Sequence, residues 1–221
     1  MNIVDKNKFI KQHIELYGNE LFFDSPSHFS IKSDLLNNSV LSIFESSVED
    51  CMKCELGTSR KKIVFGSGDK NADLLIVGEA PNEYEDEKGR PFVGKAGKLL
   101  DKILKAIGLS RIDNVYLTSV IKCKTPRNRD PLLSEINNCH SYLLKQIEII
   151  KPKIIVALGK VAGKSLLNKD LSLKELRSQF YEFNSTPLKV TYHPQTLLND
   201  PALKKNAWED FQAVRDFINQ I

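Results

Sequence analysis

No run of apolar residues in this 221-residue chain approaches the ~18 needed for a helix to cross a bilayer, so a membrane-spanning helix is not expected. The start, Met1-Asn2-Ile3-Val4-Asp5-Lys6, lacks the apolar segment of a secretory signal, and a cytoplasmic protein is expected. Internal repeats and low-complexity linkers are absent too, which argues against solenoids and strings of modules. Cysteine is scarce, with four in all. Charge of either sign is in only slight excess, +4 net, which permits nucleic-acid binding without demanding it. What remains, 41% hydrophobic and 27% charged residues, suffices for one sizeable core.

The few cysteines are placed tellingly. Cys51-x2-Cys54 puts two thiols one helical turn apart, Cys123 and Cys139 follow, and none is left over. Disulfides are the alternative, but cytosolic thiols at this spacing more often bind metal. The long gap between the pairs argues against a compact zinc ribbon, while the cysteines alone do not separate zinc from an iron–sulfur cluster. Cations gather near these ligands: Arg60, Lys61 and Lys62 after Cys54, and Lys122, Lys124, Arg127 and Arg129 around Cys123. Such a run is either a solvated face or a polyanion contact.

Four short β-branched runs read as strands, Asp73 to Val77, Val115 to Ile121, Ile154 to Leu158 and Leu188 to Tyr192. Helical periodicity separates them, over Ala96 to Ile107, Ser134 to Ile150 and Val161 to Leu167, and Ala202 to Ile221 reads as a closing helix. This alternation predicts an α/β three-layer sandwich, its central four-stranded sheet mostly parallel and covered by helices on both faces. Ahead of it, Lys6 to Tyr17 and a stretch from about Leu35 suggest helices, broken near Ser25-Pro26-Ser27. Residues 1–45 are thus expected to be a helical extension packed on a domain spanning 46–221.

Polar motifs fall where the strands end: Gly78-Glu79-Ala80-Pro81-Asn82, Lys122-Cys123-Lys124-Thr125-Pro126, Gly159-Lys160 and His193-Pro194-Gln195. In an open α/β sheet, ligands bind beyond the carboxyl ends of the strands, so Glu79, Ser119 and His193 are expected to share one pocket. The segment Gly89 to Gly97 adds a Gly-punctuated loop entering a helix, a weak phosphate signal that matches neither common Gly-rich fingerprint. Within it Phe92, between Pro91 and Val93, is expected to be exposed to the crevice and able to stack on a flat ring.

These motifs resemble the family 4 uracil-DNA glycosylases, the iron–sulfur branch of the uracil-DNA glycosylase superfamily. The resemblance runs from about Cys51 to the C-terminus. It includes Cys-x2-Cys-x-Leu-Gly with Arg60, Val64-Phe65-Gly66-Ser67-Gly68, Gly78-Glu79-Ala80-Pro81, Glu85-Asp86, Pro91 to Leu100, Lys122-Cys123-Lys124 with Asn128-Arg129, Cys139, Pro152 to Gly159 and Tyr192-His193-Pro194. It implies a 4Fe-4S cluster on Cys51, Cys54, Cys123 and Cys139, placed away from the chemistry. It implies that Phe92 stacks on the extruded base, Glu85 guards the side where thymine carries its methyl, Ser119 reads the base edge, with Asn82 and Ala80 lining the base site, and His193 faces the uracil carbonyl that gains charge. Leu197 and Leu198 are expected to fill the gap in the DNA stack, and Lys122, Lys124, Arg127 and Arg129 to meet phosphates. The implied partner is uracil-containing DNA, single- or double-stranded, acted on by a monomer.

The chain also departs from that family. Ser119 stands where asparagine is usual, Asn82 where glycine is usual, and Thr125 replaces the first of two prolines. Ala80 occupies the position where other branches place an aspartate, which leaves Glu79 as the group expected to order the water. A serine hydroxyl offers less to a base edge than an amide. A relative acting on another deaminated base such as hypoxanthine, or a DNA-binding iron–sulfur protein without catalysis, are the alternative readings.

Overall fold

The computed structural model describes residues 33–220, with side chains from Val40 onward. The readings placed on Lys6 to Tyr17 and Ser25-Pro26-Ser27 lie outside the described residues. The first helix among the described residues, α1 (Ser33–Val48), runs through residue 45 and buries Leu41 and Val48, with Phe44 packed beside them. A short turn of helix, α2 (Leu56–Ser59), follows the first cysteine pair.

Four parallel strands form the middle of the sheet: β2 (Leu74–Gly78), β3 (Val115–Ser119), β4 (Ile154–Leu158) and β6 (Thr186–Thr191), adjacent in the order β3-β2-β4-β6. The expected four-stranded count is corrected by two antiparallel edges, β1 (Ser67–Gly68) on β3 and β5 (Phe180–Phe183) on β6, giving a mixed six-stranded sheet. Both escape pattern reading for physical reasons. β1 is two residues long, and β5 is largely exposed, tied to β6 by a two-residue turn at Asn184-Ser185 whose φ of 47° and 63° suits a tight hairpin.

Every residue of β2, β3 and β4 is buried, because helices cover both faces. Alternate residues point to opposite layers. Leu75, Val77, Ile155 and Ala157 join α1, α5 (Leu133–Ile150) and α6 (Lys160–Leu167). Leu74, Ile76, Ile154 and Val156 join Leu100 and Leu104 of α4 (Gly94–Ala106) and Phe211 and Val214 of α9 (Lys204–Ile218).

The connections fix where a ligand can sit. The chain leaves β2 through α3 (Glu83–Lys88) and α4 to β3 on one side, whereas β4 leads through α6 and α7 (Leu173–Leu176) toward β6 on the other. Loops after β2 and β4 therefore part company, and a crevice opens between Gly78-Glu79 and Gly159-Lys160. Among the described residues no helix is long and apolar enough to cross a membrane.

Candidate active site and cysteine centre

The crevice is a cleft of about 630 Å³ lined by, among others, Glu79, Ala80, Asn82, Glu85, Phe92, Ser119 and His193. The strand ends thus bring together the side chains that sequence reasoning grouped. The loop from Thr125 to Pro131, Lys160, and Gln195-Thr196 at the start of α8 (Pro194–Asn199) complete the walls. Lys160 and Gln195 belong to strand-end motifs but were given no role, and Asp130 and Thr196 were missed; the only sequence signal of the last two is position, one to a few residues past such a motif.

His193 is the N-cap of α8, and its Nδ1 accepts the backbone N–H of Gln195 at 3.2 Å. An acceptor nitrogen carries no proton, so the neutral ring holds its proton on Nε2. Burial pushes the His193 pKa down to about 4, so it is uncharged across the physiological range. His193 is therefore a neutral hydrogen-bond donor fixed by its own helix start.

Glu79 follows β2. Its Oε1 accepts the N–H of Val161, in the first turn of α6, at 3.3 Å. Burial nevertheless dominates and, aided by Asp130, pushes its pKa up to about 7. Gly159 makes this placement possible, since it sits at φ 94° and a Cβ there would lie 2.3 Å from Glu79 Oε1 and 3.4 Å from His193 Cβ. One glycine thus lets the two polar groups of the cleft approach.

Phe92 is only 4% exposed, correcting the expectation of an open ring; it is a wall of the cleft, not a projecting plate. Its ring lies 5.8 Å from that of His193 at an interplanar angle of 32°. A Cβ on Gly78 would meet Phe92 Cζ at 2.6 Å and Ser119 Oγ at 3.4 Å, so ring and hydroxyl flank the end of β2. Phe92 itself holds a left-handed φ of 51°, while Arg111 donates to its carbonyl at 3.1 Å. Glu85 is buried, and its carboxylate accepts the N–H of Asn82 at 3.0 Å and those of Phe92 and Val93. Asn82 Oδ1 in turn accepts the N–H of Glu85 at 3.0 Å, a reciprocal cap on α3. Glu85 thereby sets the height of the Phe92 loop.

Two residues expected to meet DNA are corrected by their burial. Lys122 is 0% exposed and its Nζ donates to Thr118 Oγ1 and to the Ser119 carbonyl, both at 2.6 Å, so no phosphate can reach it. Leu197 is 1% exposed, whereas Leu198, about 100° round the helix, is 36% exposed. Arg127 is exposed at φ 54° and Lys124 is partly exposed. Arg129 is forked onto Glu135 at 2.6 and 2.9 Å, holding that carboxyl below its ordinary range.

The four cysteines lie together on the α1 side, all free thiols lining one small cavity with Arg60, Lys122 and Tyr142. Tyr142 Oη donates to Cys51 Sγ at 3.1 Å, and Arg60 bonds the Cys51 carbonyl and approaches Cys123 Sγ at 3.8 Å. Burial pushes the Cys123 thiol up to about 11, so a metal would have to displace its proton on binding. Among the described residues no three ligand groups close on a single ion-sized point.

Residues 65–212 match the family model of the Uracil DNA glycosylase superfamily. The Type-4 uracil-DNA glycosylase of Saccharolobus solfataricus is 41% identical over 81% of this chain and 87% of its own. That of Sulfurisphaera tokodaii is 44% identical over 76% and 80%. That of Thermotoga maritima is 37% identical over 82% and 96%.

Proposed function

Because this chain belongs to the uracil-DNA glycosylase superfamily, among its type-4 members, we propose that it removes uracil from DNA by hydrolysing the N-glycosidic bond. The observation that carries the reading is the convergence of His193, Glu79, Phe92 and Ser119 on one cleft at the sheet's switch point.

A base inside a duplex must first be extruded, at a cost of a few kcal/mol. Contacts with phosphates, for which Arg127 and Lys124 are placed, and stacking on Phe92, ~1 to 3 kcal/mol per base, offset that cost. Ser119 and Asn82 meet the polar edge of the base. Glu85 acts through the Phe92 loop, narrowing the site against the thymine methyl. As the C1′–N1 bond breaks, its electron pair leaves with uracil, and His193 Nε2–H donates to the oxygen that gains charge. Water orientated by Glu79 then adds to C1′ of the oxocarbenium-like sugar, its proton passing to the Glu79 carboxylate and on to the departed uracil anion, and leaves an abasic site. Such a cation needs a positioned water more than a strong base. The domain works as a monomer, since one chain supplies every described wall of the cleft.

Cys51, Cys54, Cys123 and Cys139 would hold a 4Fe-4S cluster. The donor set fits: a buried ammonium, Lys122, lies against Cys123 and Cys139 with a hydroxyl and a carbonyl as its hydrogen-bond partners, so thiolates would supply its counter-charge. Such a cluster would supply a structural brace between α1, the end of β3 and α5. Protein purified without oxygen should be brown and contain about four irons per chain, as that cluster type requires; stoichiometric zinc without iron would refute the assignment.

Ser119 predicts slackened base discrimination. Losing a two-pronged amide contact costs ~1 to 3 kcal/mol of selectivity by analogy with base-edge pairs. Ser119→Asn should raise uracil release and narrow the substrate range in an assay over oligonucleotides carrying different modified bases. Unchanged uracil release with loss of another base's release would mean that uracil is not the main substrate.

A further inference from the structure

Resting on the glycosylase reading, we propose that Leu132 and Leu133 form an apolar wedge that presses on bases flanking the extruded nucleotide. It would work alongside Leu198 of α8, the helix whose first turn walls the cleft.

Both leucines stand in water, Leu132 at 53% and Leu133 at 72% exposure. They directly follow Thr125 to Pro131, five residues of which line the cleft. Neither leucine is itself part of the lining, but both lie within two residues of it in the chain, unlike other strongly exposed apolar side chains such as Ile43, Met52 and Ile112.

The pair is also held rigidly. Thr125 Oγ1 donates to the Arg129 carbonyl at 2.6 Å, and Asn128 N–H bonds Thr125 O at 3.1 Å, closing the turn. Glu135, clamped by Arg129, accepts the N–H of Leu132 at 2.8 Å. A loop stapled at both ends does not bury its leucines by folding back, and little freedom is lost when something covers them.

The chemistry of their surroundings selects the occupant. Arg127 is exposed at the tip of the same loop and Lys124 stands near its start, so an apolar pair is flanked by cations at the mouth of a base-sized cleft. A stacked polyanion presents this combination, with phosphates outside and apolar base faces within. An acidic protein would satisfy the cations but would need a broader apolar surface than two side chains provide.

The test uses the full chain with Leu132→Ser/Leu133→Ser, and with Leu133→Ser alone should the double variant unfold. Uracil release is measured from duplex and from single-stranded oligonucleotides. A 2-aminopurine placed next to the uracil reports unstacking by its fluorescence. Duplex release should fall roughly tenfold or more, the 2-aminopurine rise should shrink, and the single-stranded rate should fall much less, because that substrate needs no wedge. Equal losses on both substrates, or no loss on duplex, would overturn the wedge. So would a dimer of the unmodified chain that the substitutions dissolve, since the pair would then be a subunit contact. If the unmodified chain released uracil from neither substrate, the glycosylase reading itself would have failed, which is a separate outcome.

Discussion

His193→Ala should lower the single-turnover rate of uracil release by ~10²-fold or more while leaving DNA affinity nearly intact, since one preorganised donor to a developing anion is worth ~3 kcal/mol. The geometry makes the expectation sharper than a simple loss. With Nδ1 accepting from Gln195 and the ring uncharged, the donor is a neutral Nε2–H whose strength does not change between pH 5 and 9. No rate limb should therefore appear near 6.5, the ordinary histidine value; a limb would emerge only toward about 4. A limb at 6 to 7 that vanished in the alanine variant would show that the imidazolium is the working form. Equal losses of affinity and rate would make His193 a positioning residue instead.

Glu79→Gln should be the second large effect, again about 10²-fold at pH 8, with an opposite sign on stability. The carboxyl is raised from 4.5 to about 7, so the folded protein binds its proton more tightly than the unfolded chain does. Its favourable contribution is complete below the unfolded value and is lost as pH rises through about 7. In the wild type, activity should therefore climb through pH 7 as the carboxylate forms while thermal stability declines. The glutamine variant should lose both trends, being slower and more heat-resistant at pH 8. If the rate stays high with an amide at 79, Glu79 does not hold the water.

Much of the fold was legible because β2, β3 and β4 are buried on both faces, and a continuous apolar run bounded by turn residues is the plainest strand signal there is. The edges were not, because β1 and β5 owe their existence to a neighbouring strand's unpaired backbone, not to their own side chains. The site was legible in outline for the same topological reason: strand ends converge whatever follows them. Burial was harder to read. Lys122 looks like a surface cation until Thr118, Ser119 and the cysteines surround it, and Leu197 and Leu198 are indistinguishable until the helix phase is known. Phe92 was placed rightly but its exposure was not, because that depends on Glu85 reaching across the chain to fix its loop.

The bond from Lys122 to the Ser119 carbonyl puts the cysteine centre and the base pocket on opposite sides of a single side chain. Two neutral oxygens, the Thr118 hydroxyl and the Ser119 carbonyl, hold that side chain in a dry interior, where burial pushes its pKa down to about 8. A change at the cysteine centre would thus reach the cleft wall at Ser119 through one lysine and one hydrogen bond.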